Sequence, residues 1–132
     1  MNKKLTVLAA LALGGCAMTT DSNMAQLQAA NWQLQGATED TFTLQVADGK
    51  VLGKGGCNRY FGAITQQGDG VLTLGAMGAT RMMCSAEQMN QEMAYLQKLE
   101  KVATYSISSD QLILSDANKA ALLTFNAMPA TK

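Results

Sequence analysis

The run Thr41-Phe42-Thr43-Leu44-Gln45-Val46 alternates polar with apolar side chains and is followed by Ala47-Asp48-Gly49-Lys50. Phe42, Leu44 and Val46 share one face of a strand and Thr41, Thr43 and Gln45 the other, the period of two that marks a half-buried strand. Asp48-Gly49 supplies a tight hairpin turn into a return strand over Lys50 to Gly53. Gly53, Gly55 and Gly56 around Lys54 predict a bulge or a sharp bend before Cys57.

The same alternation continues on both sides of this hairpin. Upstream, Trp32 and Leu34 alternate with Gln33 and Gln35, and Met24 to Ala30 is read as a short helix behind Asp21 or Ser22 as N-cap. Downstream, Tyr60 to Thr65 reads as a strand closed by Gln67-Gly68-Asp69-Gly70. Leu72, Leu74 and Ala76 carry the pattern on until Gly75 and Gly78 loosen it. Strand pattern returns at Tyr105 and Ile107, at Leu112 and Leu114, and at Leu123 and Phe125, with turns at Ser108-Ser109-Asp110 and Asp116-Ala117-Asn118. Between these sets, Ser85-Ala86-Glu87-Gln88 has the form of a capping box. Met89, Met93, Leu96 and Leu99 follow at helical spacing, predicting an amphipathic helix over about residues 86–101 with those four on its apolar face. Seven or so short strands and one main helix argue an antiparallel α+β domain. The expected fold is a small, strongly curled antiparallel sheet or partly open barrel packed on that helix.

The N-terminus bears on location. Met1-Asn2-Lys3-Lys4, the apolar run Leu5 to Leu13 and then Gly14-Gly15-Cys16 have the layout of a secretory signal peptide. The apolar run is far shorter than the roughly 20 residues of a spanning helix. Leu13-Gly14-Gly15-Cys16 resembles a bacterial lipobox, which implies lipidation of Cys16. The expected organisation is a lipoprotein signal peptide over 1–15, a lipidated tether over 16–23, one domain over 24–127 and a C-terminal tail over 128–132. Ala17 is not the aspartate that marks retention at the inner membrane. The expected location is therefore the outer membrane, facing the periplasm, with the Cys16 lipid as the membrane contact.

Cleavage before Cys16 leaves 117 residues with 8 basic and 10 acidic side chains. That length holds one domain, and the weakly acidic balance gives no electrostatic reason to expect nucleic acid or anionic lipid as a partner. The chain contains no histidine, which removes the usual general base and the commonest metal ligand. With Cys16 acylated, Cys57 and Cys84 remain as an even pair in an oxidising compartment. Their spacing matches neither a C-x-x-C redox motif nor a zinc knuckle. A structural disulfide is expected, the alternative being two free or metal-binding thiols.

The densest cluster is Gly55-Gly56-Cys57-Asn58-Arg59-Tyr60-Phe61-Gly62, answered by Gly78-Ala79-Thr80-Arg81-Met82-Met83-Cys84. A Cys57–Cys84 bridge would bring Arg59 and Arg81 near each other beside Tyr60. Two guanidinium groups can clamp a carboxylate or phosphate. Alternatively, one arginine simply pairs with Asp69 or Glu87, or stacks on Tyr60. Arg59, Tyr60 and Arg81 are thus the candidate binding residues. Met77, Met82, Met83, Met89 and Met93 could offer thioethers to Cu(I), but the helical spacing of the last two favours core packing. No catalytic motif is present, and no metal or cofactor is expected.

Gly-x-x-Gly-Cys-Asn-Arg-Tyr-x-Gly (Gly53 to Gly62) and Thr80-Arg81-Met82-Met83-Cys84 resemble the motifs of the META domain, as found in HslJ-type heat-shock lipoproteins. The resemblance extends over Trp32 to Phe125. It implies a small curled antiparallel sheet packed on one helix, and ties to heat shock, novobiocin resistance, and virulence or motility. It implies no catalytic residue. The fold is also similar to that of lipid-binding pilot proteins of type III secretion. The leading expectation is a non-enzymatic envelope lipoprotein with a stress, antibiotic-tolerance or binding role and a protein partner in the envelope. The alternatives are a pilot-type protein taking an acyl chain or hydrophobic peptide, and a protease inhibitor.

Overall fold

The computed structural model describes residues 22–38 and 41–128. The proposed signal peptide, Cys16, the tether before Ser22 and the tail beyond Met128 lie outside the described residues. In chain order the elements are α1 (Ser22–Ala29), β1 (Trp32–Leu34), β2 (Thr43–Ala47), β3 (Lys50–Lys54), β4 (Arg59–Gln67), β5 (Leu72–Leu74), β6 (Gly78–Ala79), α2 (Ala86–Glu100), β7 (Thr104–Ser108), β8 (Gln111–Ser115) and β9 (Ala121–Ala127).

The hairpin read from the sequence forms as β2 and β3. Asp48 and Gly49 take φ of 56° and 76°, the two positive values that let a two-residue turn follow the strand twist. Strand order is β5-β4-β3-β2-β1-β9-β8-β7, with β6 also on β4. Every neighbouring pair runs antiparallel. The two ends of this order meet. Val71 and Thr104 form an isolated bridge, Leu72 N–H donates to Ala103 O at 3.1 Å, and Tyr105 N–H donates to Gly70 O at 3.1 Å. The curled sheet is therefore a nearly closed barrel, which leaves few unpaired edges.

Inward rows from all sides fill the barrel. Trp32, Leu44, Val51, Tyr60, Leu112 and Phe125 are among its buried side chains. Helix α1 lies where β1 begins and β7 ends. Its Leu27 is buried, Trp32 Nε1 donates to Leu27 O at 3.0 Å, and Gln26 Nε2 donates to Ser109 O at 3.0 Å. Helix α2 lies at the opposite end, where β2 begins and β3 finishes. Its Tyr95 ring stands edge-on to Phe42, Tyr60 and Phe125, with centroids 5.1, 5.5 and 6.4 Å away.

Helix α2 starts as the sequence indicates. Ser85 Oγ accepts from Gln88 N–H and the Gln88 side chain returns to the Ser85 N–H, completing the capping box. Its apolar face differs from the expected one. The buried residues are Glu92, Tyr95 and Leu99, with Leu96 half-buried. Met93 is 59% exposed, and Met89, Met82 and Met83 are exposed as well. The expected core role of Met89 and Met93 is thus corrected. The inward stripe at i, i+3, i+4 and i+7 begins at a glutamate because that carboxyl group satisfies a cluster of backbone donors, described below. Strand β6, which the sequence did not indicate, spans only Gly78 and Ala79, too short to show any alternation.

Candidate functional site

The motif Gly53 to Gly62 carries the chain from β3 into β4 through a tight turn. Gly55 N–H donates to Asn58 O at 2.8 Å, and Gly56 adopts a φ of 100° that a side chain would strain. The turn directs two backbone donors at α2. Cys57 N–H and Asn58 N–H donate to Glu92 Oε1 at 3.2 and 2.6 Å, and Asn58 Nδ2 donates to Oε2 at 2.9 Å. The other end of the same amide, Asn58 Oδ1, accepts from Met82 N–H at 2.6 Å and Thr80 Oγ1 at 3.1 Å. One asparagine thus joins the turn, the helix and the segment leading to Cys84. Cys57 and Cys84 are bonded alongside it as a disulfide, with Cα atoms 6.2 Å apart.

Tyr60 takes part in a second buried group. Its hydroxyl donates to Thr43 O at 2.6 Å and lies 2.9 Å from the Tyr95 hydroxyl, which is itself 3.2 Å from Thr43 O. The Thr43 carbonyl is therefore turned inward, and Lys54 N–H bonds to Thr43 Oγ1 at 3.0 Å. Gly53 sits against that carbonyl, so a Cβ at this position would overlap Thr43 O and C. Gly53→Ala should lower the thermal midpoint more than Gly68→Ala, where no atom would be met. A cost of about 2 kcal/mol or more is expected, read by thermal unfolding of both variants.

Burial raises the Tyr60 phenol well above its ordinary value, and the neighbouring Tyr95 adds to this. Burial raises Tyr95 also, against a smaller opposing effect of its hydrogen bond with Tyr60. The native state thus holds protons that the unfolded chain releases from about pH 10, so this stability is complete below that pH and declines above it. Tyrosinate absorbance from these two residues should appear together with the loss of near-ultraviolet circular dichroism. Ionisation of both phenols in a fully folded protein would contradict the buried geometry.

The outer faces of β3 and β4 form a surface of different character. Gly49–Ile64 and Gly55–Asn58 are linked by backbone bonds, so the pairs Lys54–Arg59, Leu52–Phe61 and Lys50–Ala63 fall at the non-hydrogen-bonded positions. There side chains approach most closely, with Cβ atoms about 4.5–5.5 Å apart. Of these, Lys50, Leu52, Lys54, Arg59 and Phe61 line a cleft of about 450 Å³ whose walls also include Leu44, Gly53, Tyr60 and Met128. Lys50, Lys54 and Arg59 are its charged side chains, with no carboxylate in the lining among the described residues. A second cleft of about 490 Å³, beside Phe42, Gln88 and Gln91, carries no charged side chain among the described residues.

The structure distributes the sequence-derived candidates unequally. Arg59 is in the charged cleft. Tyr60 is buried and contributes only to its wall. Arg81 follows the strand that pairs with β4 but does not line the cleft. Thr80 N–H donates to Arg59 O at 3.0 Å, and Arg59 N–H donates to Thr80 Oγ1 at 3.2 Å, so the backbones meet as the bridge implied. The cationic neighbour of Arg59 across the strands is Lys54, which the sequence reading did not single out. Its signal was the four-residue turn Gly55 to Asn58, which sets the residues on either side of it opposite each other. Glu92 was missed too, and its place on the stripe with Tyr95 and Leu99 was the available sign. Among the described residues no cluster of three or more cysteine, aspartate or glutamate side chains could hold a metal ion.

Residues 23–129 match the META domain. The chain belongs to the META domain family. Its two cysteine-bearing segments form the turn and bridge just described, and so build the joint between β4 and α2. Among solved structures, the fold is similar to an NMR structure of a protein from Burkholderia xenovorans, at 25% identity and a TM-score of 0.61 over 92% of this chain and 95% of that one. A further NMR structure matches at 26% identity and a TM-score of 0.58, over 77% of this chain and 92% of that one. A crystal structure of a DUF4847 family protein from Bacteroides vulgatus ATCC 8482 matches at 14% identity and 0.55, over 80% and 96%, and shows a shared fold alone. No curated protein matches the chain.

Proposed function

We propose that this META domain protein is a lipid-anchored, non-enzymatic binding module of the bacterial cell envelope, serving envelope stress or antibiotic tolerance through the outer face of β3 and β4. The observation that carries the binding reading is the Lys54–Arg59 pair beside the Leu52–Phe61 pair, in a cleft whose described lining holds no carboxylate. A non-enzymatic role is supported by how the polar groups inside the domain are used. The Tyr60 and Tyr95 hydroxyls are committed to Thr43 O and to each other, and Glu92 to Cys57 and Asn58. An acyl chain inside the barrel is less favoured, because Leu44, Leu72 and Leu112, which would have to line such a cavity, are buried in packed core.

The anchor rests on the sequence alone, Leu13-Gly14-Gly15-Cys16. More than one acyl chain at that residue would hold the protein stably at a bilayer. Ala17 favours the outer membrane. Cys16→Ala should move the protein from the membrane to the soluble fraction. A variant that stays with the membrane through salt and carbonate washing would contradict the anchor.

A further inference from the structure

We infer that the cleft on the outer face of β3 and β4 binds a single-tailed anionic amphiphile, its carboxylate or phosphate between Lys54 and Arg59 and its apolar tail along Leu52 and Phe61. This deepens the binding-module reading and rests on it. Like charges placed directly opposite each other on neighbouring strands destabilise a sheet. Lys54 and Arg59 occupy such a pair, and Arg59 has no ion-pair partner among the described residues. Overall charge does not explain their presence, since the chain after cleavage would be weakly acidic. A bound anion turns the repulsion into two charge-assisted contacts, one of them from a guanidinium that can grip carboxylate or phosphate with two parallel bonds.

The neighbouring pair sets the rest of the ligand. Leu52 and Phe61 lie two residues along the strands from the cations, about 6–7 Å away. Phe61 is 51% exposed, an unusual place for an aromatic ring, and it lies over Gly78, where a Cβ would meet the ring at 2.7 Å. The ring is thereby packed against the Gly78 backbone on one side while about half of it stays open to solvent. Lys50 stands beyond Leu52, where its methylene stem can cover apolar surface while its ammonium stays in water. A cleft of about 450 Å³ is the size that takes one small molecule rather than a bilayer surface.

Calorimetric titration of the full-length, disulfide-bonded Cys16→Ala chain tests this, using dodecyl phosphate and dodecanoate below their micelle concentrations. Both should bind at least about tenfold more tightly than dodecyltrimethylammonium or inorganic phosphate, the scale of one or two charge-assisted hydrogen bonds. Lys54→Gln combined with Arg59→Gln should weaken the anionic amphiphiles by about tenfold or more without lowering the thermal midpoint. Arg81→Gln, outside the cleft, should leave affinity unchanged. Equal binding of the cationic amphiphile, equal binding of inorganic phosphate, or indifference to the double substitution would overturn the inference. So would association with phosphatidylglycerol vesicles, or with an acidic peptide, when neither dispersed amphiphile binds. Should the amphiphiles fail while crosslinks in cells still map to Phe61, the ligand class falls and the binding-module reading stands.

Discussion

Glu92→Ala is expected to destabilise the domain by about 3–5 kcal/mol, because it leaves three donors without their acceptor. Cys57 N–H, Asn58 N–H and Asn58 Nδ2 all converge on this side chain, which is only 7% exposed. The Asn58 amide cannot turn over to compensate, since its oxygen already accepts from Met82 and Thr80. Glu92→Gln is the informative companion. Its oxygen can still accept from the two backbone groups, but its amide nitrogen then confronts Asn58 Nδ2, donor against donor. A smaller loss of about 1–3 kcal/mol follows. Chemical denaturation of both variants measures this, and a Glu92→Ala protein as stable as the parent would mean that water replaces the carboxyl group at no cost.

Replacing Cys57 and Cys84 with serine should cost about 2–5 kcal/mol, the usual range for a small secreted domain that loses its bridge. The sequence separation of 27 residues closes a loop containing β4, β5 and β6, and its loss frees that loop in the unfolded chain. In the native state the Asn58–Glu92 contacts still hold the turn against α2, so the bridge and the glutamate secure one joint by different means. Their losses should be non-additive when combined. Thiol labelling under denaturing, non-reducing conditions should find neither cysteine reactive in periplasmic material.

The parts of the fold that were legible in the sequence are those that local chemistry dictates. Phe42, Leu44 and Val46 have the period of a strand, Asp48-Gly49 can adopt two positive φ angles, and Ser85 with Gln88 closes a capping box whatever lies beyond. The barrel closure at Val71–Thr104 and strand β6 depend on long-range pairing of segments too short to show a period. The inward face of α2 was misread for a definite reason. Hydrophobicity placed Met89 and Met93 inside and gave no reason to single out Glu92, but a buried turn with unsatisfied N–H groups attracts an acceptor more strongly than a flexible thioether. The candidate cleft was half legible. Arg59 stood out beside Cys57, but its partnership with Lys54 follows from the β3–β4 register, as does the apolar pair beside them. Arg81 stood out equally, but it lies beyond the end of β6 and does not line the cleft.

The central claim is that the outer face of β3 and β4 is the binding face of an envelope-anchored domain. Site-specific photocrosslinking in intact cells tests it most directly, with the photoreactive residue placed at Phe61 and, for comparison, at the exposed turn residue Ala117. Crosslinked product should form from position 61, be weak or absent from position 117, and disappear when Lys54→Gln and Arg59→Gln are introduced together. Crosslinking that is equal from the two positions, or that persists unchanged without the two cations, would contradict the account.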